Sequence, residues 1–546
     1  MNASELIVRC LENEGVHCLF GLPGEETLDL TDALLDSSIK VMTTRHEQGA
    51  AFMADVYGRL TGRPGVCFST LGPGATNLLT GVADANMDHA PLVALTGQAG
   101  LDRMHKESHQ FIDIMAMFKT VTKWQAQITT PSIIAEAIRK AFKVSQTEKP
   151  GATHLELPEN VVAARIGESD LNAPLRVQLP HAPEPLNAQV KRAIEVIGEA
   201  RRPLILVGNG IVRRGAHEAV RRFARSLNIP GVHTFMGKGI IPDRDPLSLY
   251  TIGFRWRDYS NLAMEQADVV IAIGYDFVEY APCFWNPNRD KRIVHIDVTP
   301  AEVDMHYIAE VGVLGEPALS LERIVDGLAP FNHRWTTQQR ERVVAGLEDG
   351  RHEQQSTGLL RPQAIIHRLR AVLGSHDLVI CDVGAHKLWM ARMFPCDMPN
   401  TCVISNGYAS MGIGLPGAIA AKLAFPERRV ITVTGDGGFL MNMQELETAV
   451  RDRVPVVALV WRDDGYGVIR WNQMQRFGRT AGVELGNPDL VKLAESFGAV
   501  GMRVTEPSEL QVCLAGAFTS DRPVVIDCPV DYSENLKLTE RLKALG

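Results

Sequence analysis

One βαβ pattern near the C-terminal end constrains the fold more than any other stretch of the chain. Residues 429–434 form a run rich in β-branched side chains, which predicts a buried parallel strand. A Gly-Asp-Gly-Gly turn containing Asp436 follows, then helix formers at 439–450, a second apolar strand at 456–461, and Asp463. Because two parallel strands joined by a crossover helix end at the same edge of a sheet, Asp436 and Asp463 should face one crevice.

The two acidic residues at these strand ends indicate a site for a metal ion and a phosphate. Glycines on both sides of Asp436 allow a ligand to approach the backbone closely. The N-terminus of the helix that follows favours an anion such as phosphate. Two carboxylates together with phosphate oxygens suit Mg²⁺. We therefore expect Asp436 and Asp463 to hold Mg²⁺ against a phosphate-bearing ligand.

The N-terminal third of the chain repeats the same pattern. A strand predicted at 65–70 leads into a glycine turn at Gly72, a helix and an apolar strand at 90–96. A third αβ pattern lies between the two copies, with strands predicted at 203–208, 269–274 and 292–297. The predicted fold class is α/β, with three doubly wound parallel-sheet domains. We place the domains at 1–172, 190–331 and 359–546, and assign 173–189 and 332–358 to linkers.

Composition excludes several classes of protein. A chain of 546 residues is too long for a single core. The net charge of −8 without a basic run argues against nucleic acid or an anionic membrane as a partner. No apolar run approaches the roughly 18 residues of a membrane-spanning helix. Nine cysteines without Cys-x-x-Cys pairs favour reduced thiols and a cytoplasmic location.

The two acidic loops resemble the diphosphate-binding motif of the thiamine-diphosphate-dependent enzymes. In that family an Asp, a side-chain oxygen from the second loop and a backbone carbonyl two residues further on hold Mg²⁺ against the cofactor. The matching positions here are Asp436, Asp463 and Gly465. The family usually has Asn at the second position, so Asp463 adds one negative charge.

The resemblance extends to other parts of the chain and implies further cofactor contacts. Glu47 matches the glutamate that shares a proton with the aminopyrimidine ring of the cofactor and so activates it. Met411 matches the residue that props the two rings, and the Ala409 carbonyl accepts a hydrogen bond from the aminopyrimidine. The implied cofactor-binding residues are Glu47, Pro73, Asn77, Val383, Gly384, Ala385, His386, Ala409, Met411, Gly435, Asp436, Gly437, Gly438, Asp463, Gly465, Tyr466, Gly467, Val468 and Ile469.

Within the family, the chain is most similar to the FAD-independent, catabolic type of acetolactate synthase. Residues 20–24, 71–77 and 121–123 carry motifs of the acetolactate synthases. Residues 273–286 replace the arginine-bearing segment with which some relatives bind FAD, so FAD is not expected. The Gly-x-Gly at Gly208 lacks the spacing and the following acidic residue of a dinucleotide fingerprint, so a nicotinamide cofactor is not expected either.

This resemblance implies decarboxylation of pyruvate and transfer of the retained two-carbon unit to a second 2-oxo acid, giving 2-acetolactate. Gln110 is expected beside the reacting carbons, and Arg470 and Trp471 are expected to meet the acceptor. Residues 468–472 depart from the catabolic group, so a decarboxylase or carboligase acting on another 2-oxo acid or aldehyde is the alternative. In the family the cofactor bridges two subunits, which implies a homodimer or homotetramer.

Overall fold

Three six-stranded sheets follow one another along the chain and form its framework. The computed structural model describes residues 1–167, 174–179, 181–254, 256–348 and 359–543. Every pair of neighbouring strands in the three sheets is parallel. The prediction of three doubly wound α/β domains is confirmed, whereas the predicted domain boundaries stay predictions.

The first sheet has the strand order β2-β1-β3-β4-β6-β5. Its strands are β1 (Cys18–Gly21), β2 (Lys40–Thr43), β3 (Gly65–Ser69), β4 (Leu92–Gln98), β5 (Trp124–Gln127) and β6 (Ala152–Pro158). The helices of this region are α1 (Ala3–Asn13), α2 (Leu28–Leu35), α3 (Glu47–Thr61), α4 (Pro73–Met87), α5 (Ile114–Phe118), α6 (Ile134–Gln146) and α7 (Glu159–Val162), with short 3₁₀ helices at Glu25–Thr27 and Pro131–Ile133. Helix α1 begins after Asn2, whose side chain accepts a hydrogen bond from the Glu5 backbone, as an N-cap should.

The middle sheet has the order β12-β11-β10-β7-β8-β9. Its strands are β7 (Pro203–Val207), β8 (Gly231–His233), β9 (Ser248–Thr251), β10 (Val269–Ile273), β11 (Arg292–Asp297) and β12 (Ala309–Leu314). Around it lie α8 (Asn187–Gly198), α9 (Asn209–Arg213), α10 (His217–Leu227), α11 (Tyr259–Gln266), α12 (Pro317–Val325) and α13 (His333–Glu348), with a 3₁₀ helix at Pro282–Phe284. The central strands β7 and β10 are buried along their whole length, as expected of parallel strands covered on both faces.

The third sheet has the order β14-β13-β15-β16-β18-β17. Its strands are β13 (Leu378–Cys381), β14 (Cys402–Ile404), β15 (Val430–Gly435), β16 (Val457–Arg462), β17 (Val500–Arg503) and β18 (Val524–Pro529). Its helices are α14 (Pro362–Val372), α15 (Ala385–Met393), α16 (Gly414–Ala424), α17 (Asp436–Met441), α18 (Glu445–Arg451), α19 (Gly467–Phe477), α20 (Leu490–Ser496), α21 (Glu509–Ala517) and α22 (Ser533–Lys543).

The first and third sheets have the same topology, strand for strand. The internal repeat in the sequence is therefore a repeat of structure, with β3 and β4 corresponding to β15 and β16. In the third sheet, the chain leaves β13 toward one edge and β15 toward the other. The loops after these adjacent strands diverge, which opens a crevice at their carboxyl ends where ligands of doubly wound sheets bind.

The N-terminal and C-terminal domains share one hydrophobic cluster. Buried side chains of α3 and α16 both belong to it, and a Cβ added to Gly417 of α16 would lie 2.8 Å from the Val56 side chain of α3. The two helices therefore pack directly against each other, and the two domains share a core at this face.

Two segments differ locally from what the sequence predicts. The segment 332–358 is not a linker throughout, because 333–348 form α13. Arg340 of this helix donates hydrogen bonds to the carbonyls of Ser248 and Asp243, while Val343 is buried in the middle domain. The rest of that segment, 349–358, and parts of 173–189 lie outside the described residues. The helix predicted at 439–450 is also interrupted, because α17 ends at Met441 and α18 begins at Glu445.

Two further observations concern the helices and the cysteines of the chain. None of the described helices is long and apolar enough to cross a lipid bilayer. All nine cysteines are free thiols, and six of them are buried. Burial raises the pKa of the Cys10 thiol to about 12, so this thiol stays protonated near neutral pH and is a weak nucleophile.

Candidate active site

A cavity of about 660 Å³ lies at the carboxyl ends of β13, β15 and β16. The loops that follow these strands form one wall, at the point where the strand order reverses. Phe235, Phe254 and Trp256 of the middle domain also line the cavity. A cavity of this size, lined by both apolar and polar residues, has the dimensions of a cofactor site.

The cavity gathers the predicted cofactor-binding residues of the C-terminal domain. Its lining includes Val383, Gly384, Ala385, His386, Ala409, Met411, Gly435, Asp436, Gly437, Gly438, Asp463, Gly465, Tyr466, Gly467, Val468 and Ile469. These residues come from four separate segments of the chain. The expectation that Asp436 and Asp463 face the same crevice therefore agrees with the geometry.

Asp436 ties the two acidic loops together. Its Oδ1 accepts a hydrogen bond from the Gly437 backbone at 2.8 Å. Its Oδ2 accepts one from the Asp464 backbone at 2.7 Å and one from the Asn487 amide at 2.8 Å. These donors are neutral, and the side chain is buried, so Asp436 brings an uncompensated negative charge into the cavity wall.

Asp463 is paired with an arginine from the helix that follows it. Arg470 Nη1 lies 3.1 Å from Asp463 Oδ2, and Arg470 Nη2 lies 3.1 Å from Glu484 Oε2. Burial, followed by the charge of Asp436, raises the pKa of Asp463 to about 7 even though Arg470 lowers it. Two carboxylates that interact in this way resist being ionised together, and a divalent cation between them would remove that conflict.

The geometry does not favour the predicted contact of Arg470 and Trp471 with an acceptor substrate. Neither residue lines the cavity that holds Asp436, and both line a neighbouring cavity to which Asp463 also contributes. The Trp471 indole donates to Thr539 Oγ1 at 2.9 Å and packs against Trp256 at a centroid distance of 4.8 Å. Side chains of a helix lean toward its N-terminus, which directs Arg470 back over the 463–465 loop.

His386 presents an unpaired ring nitrogen at the phosphate loop. Its Nε2 is buried and has no hydrogen-bond partner among the residues that the structure describes. Burial lowers the pKa of His386 to about 3, so the ring is neutral at physiological pH. A buried polar atom without a partner is costly, and a ligand in the cavity would supply that partner.

Two of the predicted residues, Ala409 and Met411, lie in the loop between β14 and α16. Ala409 has a φ of +57°, a left-handed conformation that costs a non-glycine residue about 1–2 kcal/mol. Met411 follows it, and both line the cavity. Strain of this kind persists where the surroundings impose it, commonly at functional sites.

The residues present fit a diphosphate held by Mg²⁺. The donor set offers the carboxylates of Asp436 and Asp463 and the backbone of Gly465, all hard oxygen ligands. Helices α15 and α19 both begin in the cavity wall, and their first backbone N–H groups suit phosphate oxygens. The orphaned Nε2 of His386 lies in the same wall.

The predicted residues of the N-terminal domain form a second group. Asn77 Nδ2 donates to Glu47 Oε2 at 2.9 Å, and Glu47 is buried at the start of α3. Gly72 has a φ of +53°, and a Cβ there would lie 2.6 Å from the Gln110 carbonyl. Pro73 follows Gly72 at the start of α4. The first sheet therefore carries these residues beyond the carboxyl ends of its strands: Glu47 after β2, Pro73 and Asn77 after β3, and Gln110 after β4.

The two groups do not meet in one cavity within a single chain. Among the described residues that line the cavity around Asp436, none comes from the N-terminal domain. The backbone of Arg45 and His46, next to Glu47, instead donates to Glu445 of α18. The Glu47 group and the Asp436 cavity are each half of the predicted site.

The structure adds residues that the sequence did not single out. Asp382 is buried at the end of β13 and accepts hydrogen bonds from the backbones of Gly412 and Gly414, which fixes the loop that carries Met411. Its position after a strand could have revealed it. Asn487 bridges Asp436 and Asp464, and no local pattern marks it.

In the middle domain, the loop at Gly208 is occupied by the side chain of Glu279 from the same domain. The backbone N–H of Asn209, after Gly208, donates to both carboxylate oxygens of Glu279 at 2.9 and 3.1 Å. The Thr234 hydroxyl donates to the same carboxylate. Burial raises the pKa of Glu279 to about 8. The position where a nucleotide phosphate would bind this loop is therefore taken by an acidic side chain.

Comparison with known proteins identifies the family. Family models described as thiamine pyrophosphate enzyme N-terminal TPP binding, central and C-terminal TPP binding domains match residues 1–117, 190–324 and 382–528. The chain is 38% identical to the acetolactate synthase of Bacillus subtilis (strain 168), over 98% of this chain and 94% of that one. It is 35% identical to the catabolic acetolactate synthase of Raoultella terrigena, over 99% and 97% of the two chains. The protein thus belongs to the thiamine-pyrophosphate-dependent enzymes, in their acetolactate synthase group.

Proposed function

We propose that this protein decarboxylates pyruvate and joins the retained two-carbon unit to a second 2-oxo acid, giving 2-acetolactate, with thiamine diphosphate and Mg²⁺ as cofactors. The strongest support is the cavity that brings two carboxylates, three strand-end loops and an unpaired histidine nitrogen together. Membership of the acetolactate synthase group supports the choice of substrate.

Each half of the site has its own task in this proposal. Bound thiamine diphosphate supplies an electron sink for decarboxylation. Asp436, Asp463 and the Gly465 carbonyl hold Mg²⁺, while His386 and the α15 and α19 N-termini bind the diphosphate oxygens. Glu47, oriented by Asn77, donates a proton to the aminopyrimidine nitrogen and takes it back.

The wall contributed by the middle domain suits the second 2-oxo acid. Phe254 and Trp256 are stacked with centroids 5.7 Å apart and keep water from the reacting carbons. The Trp256 indole nitrogen is buried without a partner among the described residues, and Asn472 and Gln475 line the same cavity. These N–H donors, rather than Arg470, would orient the acceptor carboxylate.

The complete site forms between two copies of the chain. The Glu47 group and the Asp436 cavity are separate within one chain, so the glutamate that activates the cofactor must come from a partner. A C₂ dimer would form two such sites, each with Glu47 from one subunit and Asp436 from the other. The enzyme is a homodimer or a dimer of dimers.

The middle domain plays a structural part and holds no flavin. Glu279 occupies the backbone N–H of Asn209 in the Gly208 loop and fills the space beside Gly208, so a dinucleotide phosphate would find both the donor and the space taken. This feature agrees with the FAD-independent type of enzyme.

Product analysis tests the proposed reaction. Purified protein with thiamine diphosphate and Mg²⁺ is incubated with uniformly ¹³C-labelled pyruvate and followed by NMR. We expect 2-acetolactate as the main product, with one CO₂ released for every two pyruvates and little acetaldehyde. Protein without Mg²⁺ serves as the control. Cofactor-bound protein that releases no CO₂ from pyruvate would refute the choice of donor and favour a carboligase for another substrate.

A further inference from the structure

The loops around the proposed Mg²⁺ site bring three carboxylates together, and two of these carboxylates are paired with an arginine. Asp464 is paired with Arg462 at 3.1 Å, and Asp463 with Arg470 at 3.1 Å. Asp436 has no cationic partner in the described part of the chain and accepts only from neutral groups. Both arginines are shared with a second carboxylate, Arg462 with Asp527 at 2.8 Å and Arg470 with Glu484 at 3.1 Å, so among the described residues Asp436 is the carboxylate of the three without a neighbouring cation.

Of the two ion pairs, Arg470–Asp463 is the one that contains a predicted metal ligand, Asp463. The side chain of Asp463 is 9% exposed and that of Arg470 is 29% exposed, whereas the second partner of Arg470, Glu484, is 76% exposed. Charge pairs that are shielded from water interact more strongly than exposed ones. The electrostatic role of Arg470 is thus directed at Asp463 rather than at Glu484.

The Arg470 guanidinium also lies against the backbone of residues 463–465. A Cβ added to Gly465 would collide with Arg470 Nη2, so the absence of a side chain at Gly465 makes room for the arginine. Arg470 Nη1 donates to Asp463 Oδ2, which occupies one carboxylate oxygen and fixes the plane of the group. Arg470 therefore touches two of the three positions proposed to hold Mg²⁺.

We propose that Arg470 is a positioning residue for the Mg²⁺ site, which neutralises Asp463 and holds its Oδ2 so that the other oxygen faces the cation. This inference rests on the proposed function, because it needs Mg²⁺ and a diphosphate at Asp436. An arginine–aspartate pair carries the same net charge as an uncharged amide. A site with an amide at 463 would therefore need no arginine at 470, and the two residues form one electrostatic unit.

A double-mutant cycle in the full-length protein tests the unit. The affinity for thiamine diphosphate is measured by calorimetry at a fixed, limiting Mg²⁺ concentration, for Arg470→Gln, Asp463→Asn and the double variant. Arg470→Gln leaves an unbalanced carboxylate beside the diphosphate, and Asp463→Asn leaves a guanidinium beside the cation. We expect each single variant to bind about tenfold more weakly and the double variant to return to within about threefold of wild type.

Two further measurements separate this role from general damage to the fold. Raising Mg²⁺ should recover binding in Asp463→Asn but not in Arg470→Gln, because Arg470→Gln also leaves the unbalanced Asp463 charge beside the diphosphate, which more Mg²⁺ does not remove. Arg476→Gln, on the same helix with its guanidinium over Phe477, should bind like wild type and should not rescue Asp463→Asn. Circular dichroism of each variant verifies that it is folded.

The outcomes distinguish this inference from the proposed function. A double variant that binds as weakly as the product of the two single effects would overturn the role of Arg470 while leaving the cofactor assignment intact. Binding by Arg470→Gln that equals wild type would do the same. Wild-type protein that binds no thiamine diphosphate at any Mg²⁺ concentration would instead refute the proposed function.

Discussion

Asn77 Nδ2 donates a hydrogen bond of 2.9 Å to Glu47 Oε2 and holds that carboxylate at the start of α3. The two residues come from helices that follow β2 and β3, so the pair exists only when the first sheet is assembled. Asn77 takes one carboxylate oxygen of Glu47 and leaves the other for a ligand. A buried carboxylate arranged in this way is suited to exchange a proton with a neighbouring base.

Replacement of this carboxylate tests its proposed role. Glu47→Gln should retain thiamine diphosphate but lose about 10²- to 10⁴-fold in kcat, since the amide cannot exchange the proton. Cofactor content and steady-state rates are measured on the same preparation. Glu136→Gln, an exposed glutamate in the first turn of α6, is the matched control. Turnover near the wild-type rate would remove Glu47 from the mechanism.

Asp436 should be essential for retention of the cofactor. Asp436→Asn keeps an acceptor oxygen for the Asp464 backbone but removes the charge that Mg²⁺ requires. We expect this variant to elute from gel filtration without thiamine diphosphate, and we expect a chelator to release the cofactor from wild type. Asp521→Ala, an exposed position of the same domain, should retain it. A folded Asp436→Asn variant with full cofactor content would move the metal site elsewhere.

Mixing two inactive variants tests whether the site forms between subunits. Glu47→Gln and Asp436→Asn are co-expressed with different affinity tags. If each site takes Glu47 from one chain and Asp436 from the other, a mixed dimer contains one intact site, and random pairing restores about a quarter of wild-type activity. A site formed within one chain would give no recovery, because every chain then carries a defect.

The purified protein should contain no flavin. Glu279 occupies the backbone N–H of Asn209 in the Gly208 loop and leaves no place there for a dinucleotide phosphate. The visible spectrum of the folded protein and chromatography of the supernatant after denaturation measure the flavin content. Stoichiometric FAD would place the chain with the flavin-containing relatives, and the Glu279 contact would then have to rearrange on binding.

Glu279 should also make stability depend on pH. Burial raises its pKa in the folded state to about 8, above the ordinary value of 4.5, so folding takes up a proton between these values. The free energy of unfolding should therefore fall as pH rises from about 4.5 to about 8, by up to about 1.4 kcal/mol per pH unit. Glu279→Gln should lack this component.

Denaturation curves of wild type and Glu279→Gln across this pH range measure the effect as a difference, which cancels the titration of all other groups. Glu218→Gln, an exposed glutamate of α10 in the same domain, is the control. Identical pH profiles for wild type and Glu279→Gln would show that the Glu279 carboxyl titrates in the folded protein as it does in the unfolded chain.

Several elements of the fold could be predicted because burial leaves a local pattern. The strands predicted at 429–434 and 456–461 appear as β15 and β16, each within one residue, since a parallel strand covered on both faces must be apolar throughout. Helix α13 was missed because it contacts the middle domain through polar side chains such as Arg340 as well as through the buried Val343, a mixture that gives little apolar periodicity.

The sequence by itself determined the three parallel sheets, the internal repeat and the placement of Asp436 and Asp463 at adjacent strand ends. These follow from periodicity and from the shared direction of parallel strands, which are local properties. Only the tertiary structure decided that Arg470 turns toward Asp463, that Asn487 braces Asp436, and that Glu47 stands apart from the cavity of its own chain. Contacts between distant segments depend on how helices and domains pack, and no pattern of neighbouring residues encodes that packing.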